Sequence, residues 1–274
     1  MSIKKHYRAV WLSDIHLGHK ACKAQWLVNF LEQSTIDTLY LVGDIVDIWS
    51  LRKKFYWPQS HNTLFKALLA LSNSDTRVIY LPGNHDELIQ PYDGMNLGDI
   101  EVYSQFIHTT AQGKQLLLAH GDQFDEEVFN PVERWVGDKG YELLLFLNHW
   151  CNAIRTRFNR PYWSLAGFIK ARIKRATVAI NTYRHAAISQ ARCLNVDGVI
   201  CGHIHFPEIT EVDEITYYNT GDWIENSSLL IEDHQGCVDL FHWCEQNGLQ
   251  RACEKAAPTA QQGLPVRDTC SEAA

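Results

Sequence analysis

The feature that most constrains this chain is a device used five times. A short β-type apolar run stops at a cluster of Asp, His, Asn and Gly. Residues 7–12 run into Ser13-Asp14-Ile15-His16, and residues 38–42 into Gly43-Asp44-Ile45-Val46-Asp47. Residues 78–81 run into Gly83-Asn84-His85-Asp86, residues 115–119 into His120-Gly121-Asp122, and residues 198–201 into Gly202-His203-Ile204-His205. In α/β sheets, ligand sites form where strands end at their carboxyl edge. A lone Asp at a strand end is usually a turn or a helix cap. Five such blocks in order are hard to reach by chance. Period-two alternation predicts that Asp14 and His16, and likewise His203 and His205, share one side of an extended chain. The glycines beside Asp44, Asn84, His120 and His203 are expected to turn the backbone so that these side chains converge.

The segments between the first three runs are amphipathic. Residues 23–32 and 62–71 place apolar side chains at helical spacing, so the order strand, helix, strand, helix, strand predicts an α/β fold. Residues 122–193 read as two or three helices inserted into that body. After residue 197 the pattern returns to strands at 209–212, 215–219, 228–231 and 237–243. The Ala/Gln/Pro-rich residues from about 251 read as a disordered tail. This divides the chain into a domain over 1–250, with a helical lid at about 124–192, and a tail over 251–274.

Charge sharpens the division. The formal net charge is −7, but residues 143–196 contain no Asp or Glu and nine basic residues. The remaining 220 residues carry 16 basic and 32 acidic groups. The acidic body disfavours nucleic acid as a partner. The basic segment interleaves its cations with Phe146, Trp150, Phe158, Tyr162, Trp163, Phe168 and Tyr183. That mixture suits either a cap packed on the body or a contact with an anionic membrane surface, for which Lys170, Lys174 and Arg175 are the candidate patch. The longest uninterrupted apolar runs, residues 143–147 among them, are far short of the ~20 residues of a membrane span. No secretory signal is visible, and no Cys pair has CxxC spacing. The eight cysteines therefore read as free thiols in a cytoplasmic setting.

The five blocks in this order resemble the calcineurin-like metallophosphoesterases over about residues 14–205. The resemblance implies a four-layer αββα sandwich and two divalent metal ions. By motif, Asp14, His16, Asp44 and His205 would hold one ion. Asp44, Asn84, His120 and His203 would hold the other, with Asp44 bridging. His85 would be the general acid and Asp86 its orienting partner, while Asn84, His85 and His203 would face the phosphate. Attack by a metal-bound hydroxide would follow. Asp47 and Asp122 would support the ligands, Asp122 by orienting His120. A ligand set of imidazole, carboxylate and amide without thiolate suits Mn²⁺, with Fe or Zn²⁺ as alternatives, over Ca²⁺.

Within that family the chain is most similar to UDP-2,3-diacylglucosamine diphosphatase-like proteins, which carry a helical lid between the same two blocks. Tyr162-Trp163-Ser164-Leu165 and Tyr218-Asn219-Thr220-Gly221-Asp222-Trp223 add to the likeness. It departs at His85 and Phe206, where the best-defined members carry Arg. The resemblance implies cleavage of a nucleotide-linked acylated sugar to UMP and a lipid sugar phosphate in lipid A synthesis, by a cytoplasmic protein peripheral on the inner membrane. No obligate protein partner is evident. The alternatives are a phosphodiesterase or phosphatase on a soluble or nucleic-acid substrate. A non-catalytic scaffold ranks last, because all seven expected ligands are present.

Overall fold

The computed structural model describes residues 4–125, 155 and 174–252. Among them, thirteen strands form two sheets. The parallel centre of the larger sheet is β1 (Lys5–Leu12), β2 (Ser34–Val42) and β3 (Arg77–Leu81). One flank adds β4 (Asn96–Leu97) and β5 (Ile100–Val102). The other adds β11 (Ser228–Glu232), β12 (Val238–Cys244) and β13 (Gly248–Arg251), giving the order β13-β12-β11-β1-β2-β3-β5-β4. The smaller sheet runs β6-β7-β8-β10-β9, from β6 (Phe106–Thr109), β7 (Gln115–Leu118), β8 (Gly198–Cys201), β9 (Glu208–Val212) and β10 (Ile215–Asn219).

Alternation along β1 shows how the layers assemble. Val10 and Leu12 face a core built with Leu27, Phe30 and Leu31 of helix α1 (Ala24–Glu32) and Leu64 and Leu68 of α3 (Gln59–Ser72). Ala9 and Trp11 face the other way, onto Leu116 and Leu118 of β7 and Ile200 of β8. The far face of the smaller sheet, with Leu117, Val199 and Tyr217, packs on Tyr183, Ala187, Ile188 and Ala191 of α4 (Lys174–Cys193). Three apolar seams separate four layers, α-β-β-α, as the family resemblance implies.

The difference lies in α4. It falls in the segment read as a lid, yet its residues from Tyr183 onward form the outer layer of the body. Two of the nine cations are correspondingly taken. Arg184 makes a forked pair with Glu208 at 2.8 Å, and Arg192 reaches Asp213 at 3.1 Å. Lys170 and the side chains of Lys174 and Arg175 lie outside the described residues. So does the expected tail, although Ala252 still donates its N–H to Leu240 O at 2.9 Å. Cysteine also departs from expectation: Cys22, Cys201, Cys237 and Cys244 are free, but Cys193 is disulfide-bonded.

The sequence gives no warning of α2 (Ile48–Lys53). It is a short helix capped by Asp47, whose side chain accepts from Ser50 N at 2.7 Å. It begins directly after the second block and carries Trp49 to within 4.3 Å of the His85 ring.

Candidate metal centre

All five blocks reach the same edge of the sandwich. Their convergence does not come from extended chain. Asp14, His16, Asp44, His203 and His205 all take the left-handed conformation, with φ of 50°, 52°, 55°, 67° and 51°. Asp and His enter this region more readily than most side chains, but each still carries strain, roughly 1–2 kcal/mol. Such strain gathers at functional sites. Alternation along a strand therefore does not explain the Asp-x-His and His-x-His spacing. Each pair is aimed by two successive left-handed residues around one ordinary residue.

The glycines need the same correction. Gly43 and Gly121 do have positive φ, at 77° and 112°. Gly83 and Gly202 do not, and serve by being small. A Cβ on Gly83 would meet Asp44 Oδ1 and the His120 ring, and one on Gly202 would meet Asp14 Oδ2 and Ser13 Oγ.

Two clusters result. Asp14, His16 and His205 bring one donor atom each within 4.8 Å of one another, and Asp44, His120 and His203 do the same. Asp44 Oδ2 joins them, 3.7 Å from His16 Nε2 and 3.4 Å from His120 Nε2. Each carboxylate divides its labour. Asp44 Oδ1 accepts from His85 N at 2.9 Å, which leaves Oδ2 facing both clusters. Asp14 Oδ2 accepts from His203 N at 2.9 Å and from Ser13 Oγ, which leaves Oδ1 facing His205 Nε2 at 3.0 Å.

The imidazoles are aimed by their second nitrogens. His120 Nδ1 lies 2.9 Å from Val42 O, and His16 Nδ1 lies 3.3 Å from Asp47 Oδ2. Both Nε2 atoms are thereby turned inward. Val42 O, not Asp122, orients His120. His203 Nε2 lies 2.9 Å from Asp125 Oδ2, a partner that no motif in the sequence marks.

Asp86 corrects the expected pairing at His85. It is fully buried and accepts from Ile45 N at 2.7 Å, Gly83 N at 2.6 Å and the Tyr80 hydroxyl. These bonds brace the second and third blocks against each other and leave nothing for His85. The His85 ring is held by Asp47, with Nδ1 2.9 Å from Oδ1. The sequence signal for Asp47 is its place in Gly-Asp-x-x-Asp, which leaves open which imidazole it serves. Tyr183 is a further site residue that the sequence does not mark as one. Its buried hydroxyl reaches His120 O and Gly202 O at 3.4 Å each, tying α4 to two blocks at once.

The residues fit a divalent cation. Asn84 Oδ1 and His120 Nε2 are buried atoms with no hydrogen-bond partner, and such atoms are rare unless something else satisfies them. Electrostatics agrees. Burial alone would raise the carboxyls of Asp14 and Asp44 and lower the imidazoles. The facing opposite charges win, holding Asp14 and Asp44 below the usual carboxylate range. They also raise His16 to about 10 and His120 well above its ordinary value. A pocket that pulls protons onto imidazoles this strongly is a cation trap, and metal ions compete for the same lone pairs.

A four-layer α/β sandwich with paired carboxylate and imidazole clusters at one strand edge defines a metal-dependent hydrolase. The chain belongs to the calcineurin-like phosphoesterase family, whose family model matches residues 7–207, and so is a hydrolase of phosphoester or diphosphate bonds. A UDP-2,3-diacylglucosamine hydrolase of Proteus mirabilis is 26% identical over 210 residues, covering 74% of this chain and 84% of that protein. The protein of the same name from Neisseria meningitidis serogroup A is 25% identical over 244 residues, covering 84% and 96%. Among solved structures, the phosphoesterase Yfce of E. coli aligns with a TM-score of 0.44 at 14% identity, covering 89% of this chain and 97% of that one.

Proposed function

We propose that this chain is a dinuclear hydrolase that cleaves the diphosphate of a UDP-2,3-diacylglucosamine-type substrate to UMP and a lipid sugar phosphate. The observation that carries the reading is the shared Asp44 Oδ2, set 3.7 Å from His16 Nε2 of one cluster and 3.4 Å from His120 Nε2 of the other. Asp14, His16, Asp44 and His205 would hold one ion, and Asp44, Asn84, His120 and His203 the other. Mn²⁺ suits this thiolate-free set, with Fe or Zn²⁺ as alternatives. When bound, two such ions acidify water and draw charge from the phosphoryl oxygens.

The chain's own residues do the rest. Asp47 takes the proton on His85 Nδ1 as a hydrogen bond, so His85 Nε2 is the atom that presents a proton to the leaving oxygen. Burial would raise the Asp47 carboxyl, but hydrogen bonds from His16 and His85 hold it well below the usual range. It stays an acceptor. The Asn84 amide NH₂ supplies a further donor toward the phosphoryl group.

The relatives named above support the lipid-linked nucleotide substrate, as does the basic aromatic segment of residues 143–196. Lys170, Lys174 and Arg175 would dock that segment on the anionic inner membrane from the cytoplasmic side. The test is Mn²⁺-dependent hydrolysis of UDP-2,3-diacylglucosamine beside bis-p-nitrophenyl phosphate and single-stranded DNA. A kcat/KM on the lipid substrate at least about a hundredfold above the others supports the reading, a gap of about 2.8 kcal/mol in transition-state binding. Comparable values on all three would favour the soluble-substrate phosphodiesterase.

A further inference from the structure

Imidazole and carboxylate groups converge a second time, at the opposite end of the large sheet. His6 on β1, Asp37 on β2 and His234 in the turn between β11 and β12 each bring one donor atom within 4.8 Å of the others. His6 Nε2 lies 2.6 Å from Asp37 Oδ1, and the His6 and His234 rings meet edge to face with centroids 4.6 Å apart. β1 lies between β11 and β2, so three adjacent strands supply the three groups. Eight residues of β1 and its extension separate His6 from Asp14, about 26 Å at the rise of a strand. This cluster is therefore remote from the centre described above.

The backbone beneath it is already fixed. At His6, β1 is paired with Thr35 of β2. The turn that carries His234 is closed by Asp233 Oδ1, which accepts from Gln235 N and Cys237 N at 2.9 Å each. Gln112 Nε2 ties the same turn to the smaller sheet through Gln235 O at 3.1 Å. Only side-chain rotation is needed to close the trio on an ion, and all three side chains are exposed. A tetrahedral ion with bonds of about 2.0–2.2 Å sets its donors about 3.4 Å apart, which lies between the 2.6 Å His6–Asp37 contact and the 4.8 Å within which all three donors fall.

The geometry points to a binding site for one borderline divalent cation of the Zn²⁺ class, held by His6, Asp37 and His234, with water completing the shell. Two imidazoles and one carboxylate select Zn²⁺, Ni²⁺ or Cu²⁺ over Mg²⁺ and Ca²⁺. The ion would clip the β11–β12 turn to β1 and β2. The competing account is a plain His6–Asp37 ion pair, to which His234 contributes nothing.

The two accounts separate by metal counting. The full-length protein, as wild type, His234→Gln and His6→Gln/His234→Gln, is brought to equilibrium with micromolar free Zn²⁺ and its bound metal measured. Both variants should hold one equivalent fewer than wild type. Turnover of bis-p-nitrophenyl phosphate should be unchanged, since neither residue belongs to the catalytic edge. Added Zn²⁺ should raise the unfolding temperature of the wild type more than that of either variant, because an ion bound only by the folded state stabilises it. Equal metal content in all three proteins would overturn the site. This result is independent of which substrate the enzyme takes.

Discussion

His85 Nδ1 lies 2.9 Å from Asp47 Oδ1, and the other oxygen of the same carboxylate lies 3.3 Å from His16 Nδ1. One carboxylate thus couples a residue proposed to hold metal to the residue proposed to deliver a proton. His85→Ala should cost roughly 10²–10⁴-fold in rate when the leaving group needs that proton. The loss should be much smaller with p-nitrophenolate, which leaves without one. Asp47→Ala removes the acceptor of both imidazoles, along with the cap of α2. It should show the same leaving-group dependence, with a loss of about 10–100-fold. A His85→Ala loss of equal size on both leaving groups would make His85 a phosphate-positioning residue.

Asp44 predicts how metal content will divide. Its Oδ2 faces both clusters, so Asp44→Ala should empty the centre and abolish activity. Asn84, whose buried Oδ1 has no hydrogen-bond partner, is proposed to serve a single ion, so Asn84→Ala should remove mainly one ion. Elemental analysis after dialysis reads both. Two ions retained in Asp44→Ala would refute the bridging role.

Much of this centre is legible in the amino-acid sequence. Strand runs ending in Asp, His and Asn mark both the edge and the residues, because strand termini are local and ligand chemistry restricts the residue types. What the sequence hides is aim. Asp86 follows His85 directly and looks like its partner, but neighbours in a tight turn need not face each other. Asp86 points down to Tyr80, while a residue 38 positions earlier holds the ring. Gly202 looks like a turn residue, yet its role is to leave room for Asp14. α4 looks like part of a lid because its stretch is basic, but helical periodicity says only that one face is apolar. It does not say that the face meets β8 and β10. Long-range packing decides each of these, and no local pattern records it.

Gly202→Ala tests the space argument. The added methyl would press on Asp14 Oδ2 and Ser13 Oγ, both fully buried. Overpacking of this kind costs typically 1–3 kcal/mol. Because Asp14 is the group displaced, metal affinity should fall along with stability. Titration with Mn²⁺, followed by activity on bis-p-nitrophenyl phosphate, should show the midpoint moved at least tenfold upward. An unchanged midpoint in a folded variant would mean that Asp14 does not need its present position.

Glu232 carries a stability prediction away from the catalytic edge. It is completely buried at the end of β11. It accepts from Arg8 Nη1 at 2.5 Å and from Ala111 N at 2.7 Å, and lies 2.9 Å from His108 Nε2. Tyr40 OH, 2.8 Å from His108 Nδ1, completes the chain of contacts and sets the tautomer in which His108 donates to Glu232. Burial would raise the Glu232 carboxyl, but His108, the Ala111 amide and Arg8 outweigh it and the net shift is downward. A carboxylate whose folded value is depressed stabilises fully above its unfolded value of about 4.3. That contribution is lost as pH falls through the lower folded value. Glu232→Gln keeps the bond from Ala111 N but removes the charge facing Arg8. Hydrogen bonds to charged groups are worth about 1.5–3 kcal/mol, so the variant should be less stable by about that much at neutral pH. At about 2–4 °C per kcal/mol, its thermal midpoint should lie roughly 3–12 °C below wild type. The gap should hold between pH 6 and 8 and narrow as pH falls below about 4, where the unfolded chain's carboxylate takes up its proton while the folded one still resists it. Calorimetry on both proteins across that range measures it, and a gap independent of pH would show that Glu232 acts by shape and not by charge.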